Sequence, residues 1–137
     1  MAYVTWDESY AVGVGEIDEQ HKRLFELANE LEEACANQCS FGDIMRAVEE
    51  FTEYTRIHFA TEEKFMAALQ YEEQEEHVEE HMVCSMCAVD FFGQAIEGDP
   101  ELPRQFLAYV MDWLKVHIKG RDKGLGNFIN RQGGAKA

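Results

Sequence analysis

The chain has 137 residues, 46% of them apolar, and a formal net charge of −15. That length suits one domain burying about two-thirds of its unfolded surface. The charge makes nucleic acid and anionic membranes poor partners. No stretch approaches the roughly 20 apolar residues of a membrane span.

The first eight residues, Met1 to Glu8, show neither the basic start nor the apolar run of an export signal. A cytoplasmic location is therefore expected, with reduced thiols at Cys35, Cys39, Cys84 and Cys87. Cys84 and Cys87 have a C-x-x-C spacing known from redox and metal sites. They lie in an apolar helical run, however, where a free cysteine serves as a small hydrophobe.

Residues 1–17 read as an irregular N-terminal arm, anchored by Trp6, Tyr10, Val12 and Val14 and broken by Gly13 and Gly15. Asp18 is expected to cap a first helix that carries His21, Leu24, Phe25, Ala28, Leu31 and Cys35 on one face. That helix stops near Asn37. Ser40 caps a second helix, with Asp43 as capping-box partner. Its inward stripe runs Ile44, Val48, Phe51, Thr55, His58, Glu62 and Phe65.

No Gly or Pro separates the second helix from the third. His58 and His77 would lie ~28 Å apart along one continuous helix, so convergence demands a turn near Leu69–Glu73. The third helix carries His77, His81, Cys84, Ala88 and Phe91 and ends before Gly98. Asp99-Pro100 opens a fourth, with Pro in its first turn. Its buried stripe is Leu102, Phe106, Val110, Trp113, Leu114 and His117, and Gly120 weakens its end. The expected fold is all-α: an antiparallel up-down four-helix bundle with an arm and a short C-terminal extension. The domain is placed at residues 1–131, followed by a flexible tail at 132–137.

In that layout all five histidines fall at one end of the bundle. His21 starts the first helix, His58 and Glu62 lie toward the end of the second, His77 and His81 begin the third, and His117 closes the fourth. A lone inward histidine is more often a satisfied core residue, but five in register are not, and bundles build metal sites in this way. His58/Glu62 and His77/His81 are i,i+4 pairs on one face. His117 and Asp122 are i,i+5, about 140° apart on a regular helix. Asp122 joins the group only if the helix unwinds or bulges, which Gly120 permits.

Imidazoles with two carboxylates suit a redox-active first-row metal, and seven ligands exceed one tetrahedral zinc. Two ferrous ions, two carboxylates and a hydroxide leave a net charge near plus one. No histidine has a Glu three residues before it, so the Glu-x-x-His pattern of carboxylate-rich di-iron bundles is missing. A histidine-rich pair favours reversible oxygen binding over oxygen cleavage.

These stretches resemble the hemerythrin family, specifically the single-domain bacteriohemerythrins. The resemblance covers about residues 6–128. It rests on Trp6 to His21 with Ile-Asp-Glu-Gln-His, on His-Phe-Ala-Thr-Glu-Glu from His58, on His77-x-x-x-His81, and on Trp113-Leu-Lys-Val-His-Ile to Asp122.

The resemblance implies two irons, Fe(II) or Fe(III), with a bridging oxo or hydroxo group. His77, His81 and His117 would hold one iron. His21 and His58 would hold the other, which keeps an open position. Glu62 and Asp122 would bridge them. Dioxygen would bind reversibly, end-on, as a hydroperoxide, in a dry pocket lined by Leu24, Phe59, Trp113 and Ile118. A monomeric oxygen carrier or store, rather than an enzyme, is the expectation. Two departures stand out: Glu72 where many relatives have proline, and Leu125 near where many have tyrosine.

Three other readings compete. His77-Val-Glu-Glu-His81 fits the H-x-x-E-H of inverted zinc peptidases with Glu80 as base, which leaves three histidines without a role. The same di-iron ligands could serve a peroxidase or a nitric-oxide or oxygen reductase. A sensor would act through a protein partner not identified by the sequence, with Glu72–Glu80 as a docking face. Such an acidic run is more often a solvated helix surface.

Overall fold

The computed structural model describes residues 3–95, 99 and 101–134. Helix α1 spans Gly15–Ala36, α2 Phe41–Leu69, α3 Gln74–Gln94 and α4 Glu101–His117. Helix α1 packs on α2 and α4, and α3 packs on α2 and α4. The result is an antiparallel up-down four-helix bundle, with no strand among the described residues. Gly98, expected just past the end of α3, and Pro100, expected in the first turn of α4, lie outside the described residues.

Each long helix buries a stripe at three-and-four spacing. On α1 it is Ile17, His21, Leu24, Ala28, Leu31 and Cys35, the pattern of a helix with one apolar face. Ser40 caps α2 as its sequence suggests, its hydroxyl accepting from the Asp43 amide at 3.1 Å. The reciprocal half of the capping box is replaced: the Asp43 carboxylate accepts from Arg46 at 3.0 Å. Helix α2 ends at Gln70, whose left-handed φ of 54° reverses the chain within the expected turn. Phe65, Ala88, Leu102 and Trp113 are half-buried rather than fully inward.

The N-terminus of α1 departs from the sequence reading. The helix begins three residues before Asp18, after Val14, and no side chain caps it. The Asp18 carboxylate instead reaches back over the arm, accepting from the amides of Val12 at 2.8 Å and Gly13 at 3.3 Å. The described arm is therefore residues 3–14. Asn29 clamps it, accepting from the Val4 amide and donating to the Val4 carbonyl, both at 2.9 Å. Gly13 has φ +86°, and a Cβ on Gly126 would collide with the Val12 carbonyl. Both glycines are therefore needed where the arm crosses the C-terminal segment.

That segment does not simply fray at Gly120. Residues Ile118–Asp122 continue α4 as a π-helical turn, followed by α5 (Lys123–Ile129) and a second π-turn, Asn130–Gly134. The tail expected from Gln132 starts within this second π-turn, and its residues 135–137 lie outside the described residues. Nothing lies within 4 Å of a Cβ built on Gly120, and its φ is not positive, so the π-turn does not depend on glycine. Leu125 is fully buried; it fills core space with an apolar side chain.

Candidate metal centre

His21, His58, Glu62, His77, His81, His117 and Asp122 are all buried, none more than 3% exposed. Four helices and the π-turn bring them to one level. His58 and Glu62 share a face of α2 one turn apart, as do His77 and His81 on α3. The π-turn brings in Asp122. In an α-helix the fifth residue on points away, whereas a π-turn bonds i to i+5 and stacks those residues. The His117 Nε2 and Asp122 Oδ1 atoms are accordingly 3.0 Å apart. The sequence required a bulge here, and the structure supplies it as a π-turn.

The donor atoms form two overlapping groups. Glu62, His77, His81, His117 and Asp122 make one; His21, His58, Glu62 and Asp122 make the other, with the donors of each group within 4.8 Å of one another. Each carboxylate divides its oxygens between them. Glu62 Oε1 lies 3.1 Å from His77 Nε2 and 3.0 Å from His81 Nε2, while its Oε2 lies 2.9 Å from His58 Nε2 and 3.6 Å from His21 Nε2. Asp122 Oδ1 meets His77 and His117 at 3.0 Å, and its Oδ2 meets His21 at 3.0 Å.

Several of these close approaches are not hydrogen bonds. His58 Nε2, His117 Nε2 and Glu62 Oε2 are buried without a hydrogen-bond partner, although a ring nitrogen or carboxylate oxygen sits about 3 Å away. His58 Nε2 and Glu62 Oε2 belong to the two-histidine group and His117 Nε2 to the three-histidine group. A buried donor or acceptor left unmatched costs about 1–3 kcal/mol, so unmatched atoms in both groups fit a cation in each.

The charge balance says the same. Among the described ion pairs, Glu62 and Asp122 touch only imidazoles, never Lys or Arg. Burial favours neutral Glu62, yet His58 and the adjoining imidazoles hold its carboxyl well below the usual range. Burial and the Glu62 charge both oppose ionised Asp122, yet contacts with His117, His21 and His77 keep its carboxyl below the usual range too. Burial likewise opposes charge on His21 and His77, but hydrogen bonds that their ring N–H groups donate to Asp122 and Glu62 raise each to about 9. Without a metal, protons supply the positive charge that these carboxylates require.

The outward nitrogens are set by residues not singled out as ligand partners in the sequence. His81 Nδ1 meets Glu63 Oε2 at 2.9 Å, His117 Nδ1 meets Glu80 Oε1 at 2.9 Å, and His58 Nδ1 meets Gln20 Oε1 at 2.7 Å. These oxygens only accept, so each Nδ1 carries the proton and each Nε2 presents its lone pair inward. Arg121 donates from Nε to Glu80 at 2.7 Å and from Nη1 to Glu73 at 3.3 Å. Glu80 is thus committed to His117 and Arg121, which removes it as the free base of a zinc-peptidase site. The only sequence signal for this layer was adjacency: Gln20, Glu63 and Glu80 each neighbour an inward ligand-type residue.

The expected pocket residues surround the same level. Leu24 and Ile118 are fully buried and Phe59 is 4% exposed. Phe59 stacks on His81 with centroids 3.9 Å apart, and the half-buried Trp113 stacks on His117 at 4.5 Å. Cys35 and Cys84 are buried free thiols, and burial pushes Cys84 up to about 12. That agrees with its reading as an inert core residue.

Residues 12–129 match the hemerythrin HHE cation-binding domain. The chain is 30% identical over 122 residues to a bacteriohemerythrin of Clostridium acetobutylicum, covering 86% of this chain and 95% of that protein. It is 34% identical over 117 residues to a hemerythrin-like protein of Naegleria gruberi, covering 85% and 86%. The crystal structure of a wild-type hemerythrin superposes with a TM-score of 0.78 at 28% identity, covering 92% of this chain and 97% of that one.

Proposed function

The chain belongs to the hemerythrin family of non-haem iron proteins, whose family function is oxygen binding, and on that premise we propose that it binds dioxygen reversibly at a di-iron centre. His77, His81 and His117 would hold one ion and His21 and His58 the other, with Glu62 and Asp122 each offering one oxygen to either side. The observation that carries this reading is the division of each carboxylate, one oxygen to each histidine group.

Two irons, when bound, supply the electrons that dioxygen takes up on binding and returns on release. The protein's part is placement and exclusion. One group offers five protein donors and the other four, so an outside ligand finds its opening beside His21 and His58. Leu24, Phe59, Trp113 and Ile118 keep that opening dry, which slows loss of a reduced oxygen species to water.

The domain is residues 1–131, acting as a cytoplasmic monomer in oxygen carriage or storage rather than as an enzyme. No helix among the described residues is long and apolar enough to cross a membrane. The test is an absorption spectrum of anaerobically reduced, iron-loaded protein taken through a cycle of adding and removing oxygen. A band that appears and disappears over repeated cycles is expected. Irreversible bleaching, or steady turnover with a reductant, would replace the carrier by an oxidoreductase.

A further inference from the structure

The residues behind the histidines differ between the two groups in a way the ligands themselves do not reveal. Behind the three-histidine group stand two carboxylates, Glu63 on His81 and Glu80 on His117, both at 2.9 Å. Arg121 fixes the orientation of Glu80. Behind the two-histidine group stands one neutral amide. Gln20 accepts from His58 at 2.7 Å and is itself oriented by donating to Thr61 at 3.0 Å. The remaining outward nitrogens, His21 Nδ1 and His77 Nδ1, are buried and have no hydrogen-bond partner, so they leave the contrast between the groups intact.

An anionic acceptor on Nδ1–H draws the proton toward itself and makes Nε2 a stronger donor; a neutral amide does so less. The Glu63 and Glu80 side chains are 38% and 37% exposed, so their role is not core packing. We propose that Glu63 and Glu80, the latter held by Arg121, are positioning residues that make the three-histidine position the tighter and more electron-rich of the two. On this account the two positions are unequal before any outside ligand arrives. Metal fills the His77/His81/His117 position first. The position backed only by Gln20 stays weaker and free to exchange ligands.

This inference rests on the proposed two-metal reading of the site. It is tested by anaerobic titration of the full chain with cobalt(II), followed by calorimetry and by the visible bands of the bound ion. Wild type should take two ions in two resolved steps. In the double variant Glu63→Gln/Glu80→Gln the amides still accept from Nδ1–H but carry no charge. Its first step should weaken by roughly 10–100-fold, with the second nearly unchanged and the circular dichroism spectrum as in wild type. Gln20→Leu should weaken the second step alone. In iron-loaded protein the double variant should also be oxidised at a higher potential than wild type.

An unchanged first step in the double variant overturns the proposal, as does an equal loss in both steps. Fewer than two cobalt ions per wild-type chain would overturn both this inference and the two-metal site beneath it.

Discussion

Where α1 ends and α2 begins, the bundle interior is Leu31, Cys35, Val48, Phe51, Phe91 and Phe106; at the opposite end the same helices bury five histidines, Glu62 and Asp122. The first end is held by apolar burial, worth about 1.5–3 kcal/mol for each large side chain removed from water. Phe91 and Phe106 stack there with centroids 4.6 Å apart. The second end sets two fully buried carboxylates against imidazoles alone. Buried charge costs several kcal/mol per ion unless it is well matched. One half of the core therefore stabilises the fold, and the other half draws on that stability to hold a polar site in place.

The sharpest way to break this contrast is one substitution in each half. Glu62→Ala removes an oxygen from both donor groups, and bound iron should fall from two per chain to near zero by elemental analysis. Phe106→Ala should cost about 3–5 kcal/mol in denaturant unfolding yet leave two irons on the folded fraction. If Glu62→Ala keeps its iron, the two halves are not distinct in the way described.

The pH dependence of metal-free protein probes the polar half alone. His21 and His77 are raised from 6.5 to about 9. Their contribution is fully present below pH 6.5 and is lost as pH rises through 9. Glu62 is lowered from 4.5, so its contribution is present above that value and lost as pH falls toward its folded pKa. The melting temperature should therefore be highest between about pH 4.5 and 6.5 and fall by several degrees on the way to pH 9. Iron binding should tighten over that upper range, because metal displaces the same protons. A melting temperature that climbs toward pH 9 in metal-free protein would contradict the assignment.

A milder perturbation tests the boundary between the halves. Leu24→Ala and Ile118→Ala should each cost about 2–5 kcal/mol and retain two irons while autoxidising faster, as followed by the decay of the oxygenated band. Unchanged autoxidation would show that the pocket is kept dry by other residues. The smallest effect belongs to Gly120→Ala. With open space at its Cβ, it should stabilise the π-turn segment by up to about 1 kcal/mol and leave iron content unchanged.

The sequence made the apolar half and the inward histidines and carboxylates legible for one reason: both follow helical periodicity. His58/Glu62 and His77/His81 announce a shared face, and the turn at Gln70 follows once His58 and His77 must meet. Asp18 misled because its composition suits a cap, whereas its carboxylate serves the arm amides of Val12 and Gly13. The Asp122 offset showed that the helix must distort without showing that it would do so as a π-turn. Glu80 was hidden among near-identical neighbours between Glu72 and Glu80. Only the register of α3 against α4 selects it to face His117, 37 residues away.

The central claim is that two metal ions share Glu62 and Asp122 between unequal histidine groups. A crystal structure of iron-loaded protein with anomalous scattering measured at the iron edge tests this most directly. Two peaks are expected, one among His77, His81 and His117 and one between His21 and His58, each contacting one oxygen of both carboxylates. A single peak, or a second peak without His21 and His58 beside it, would contradict the account.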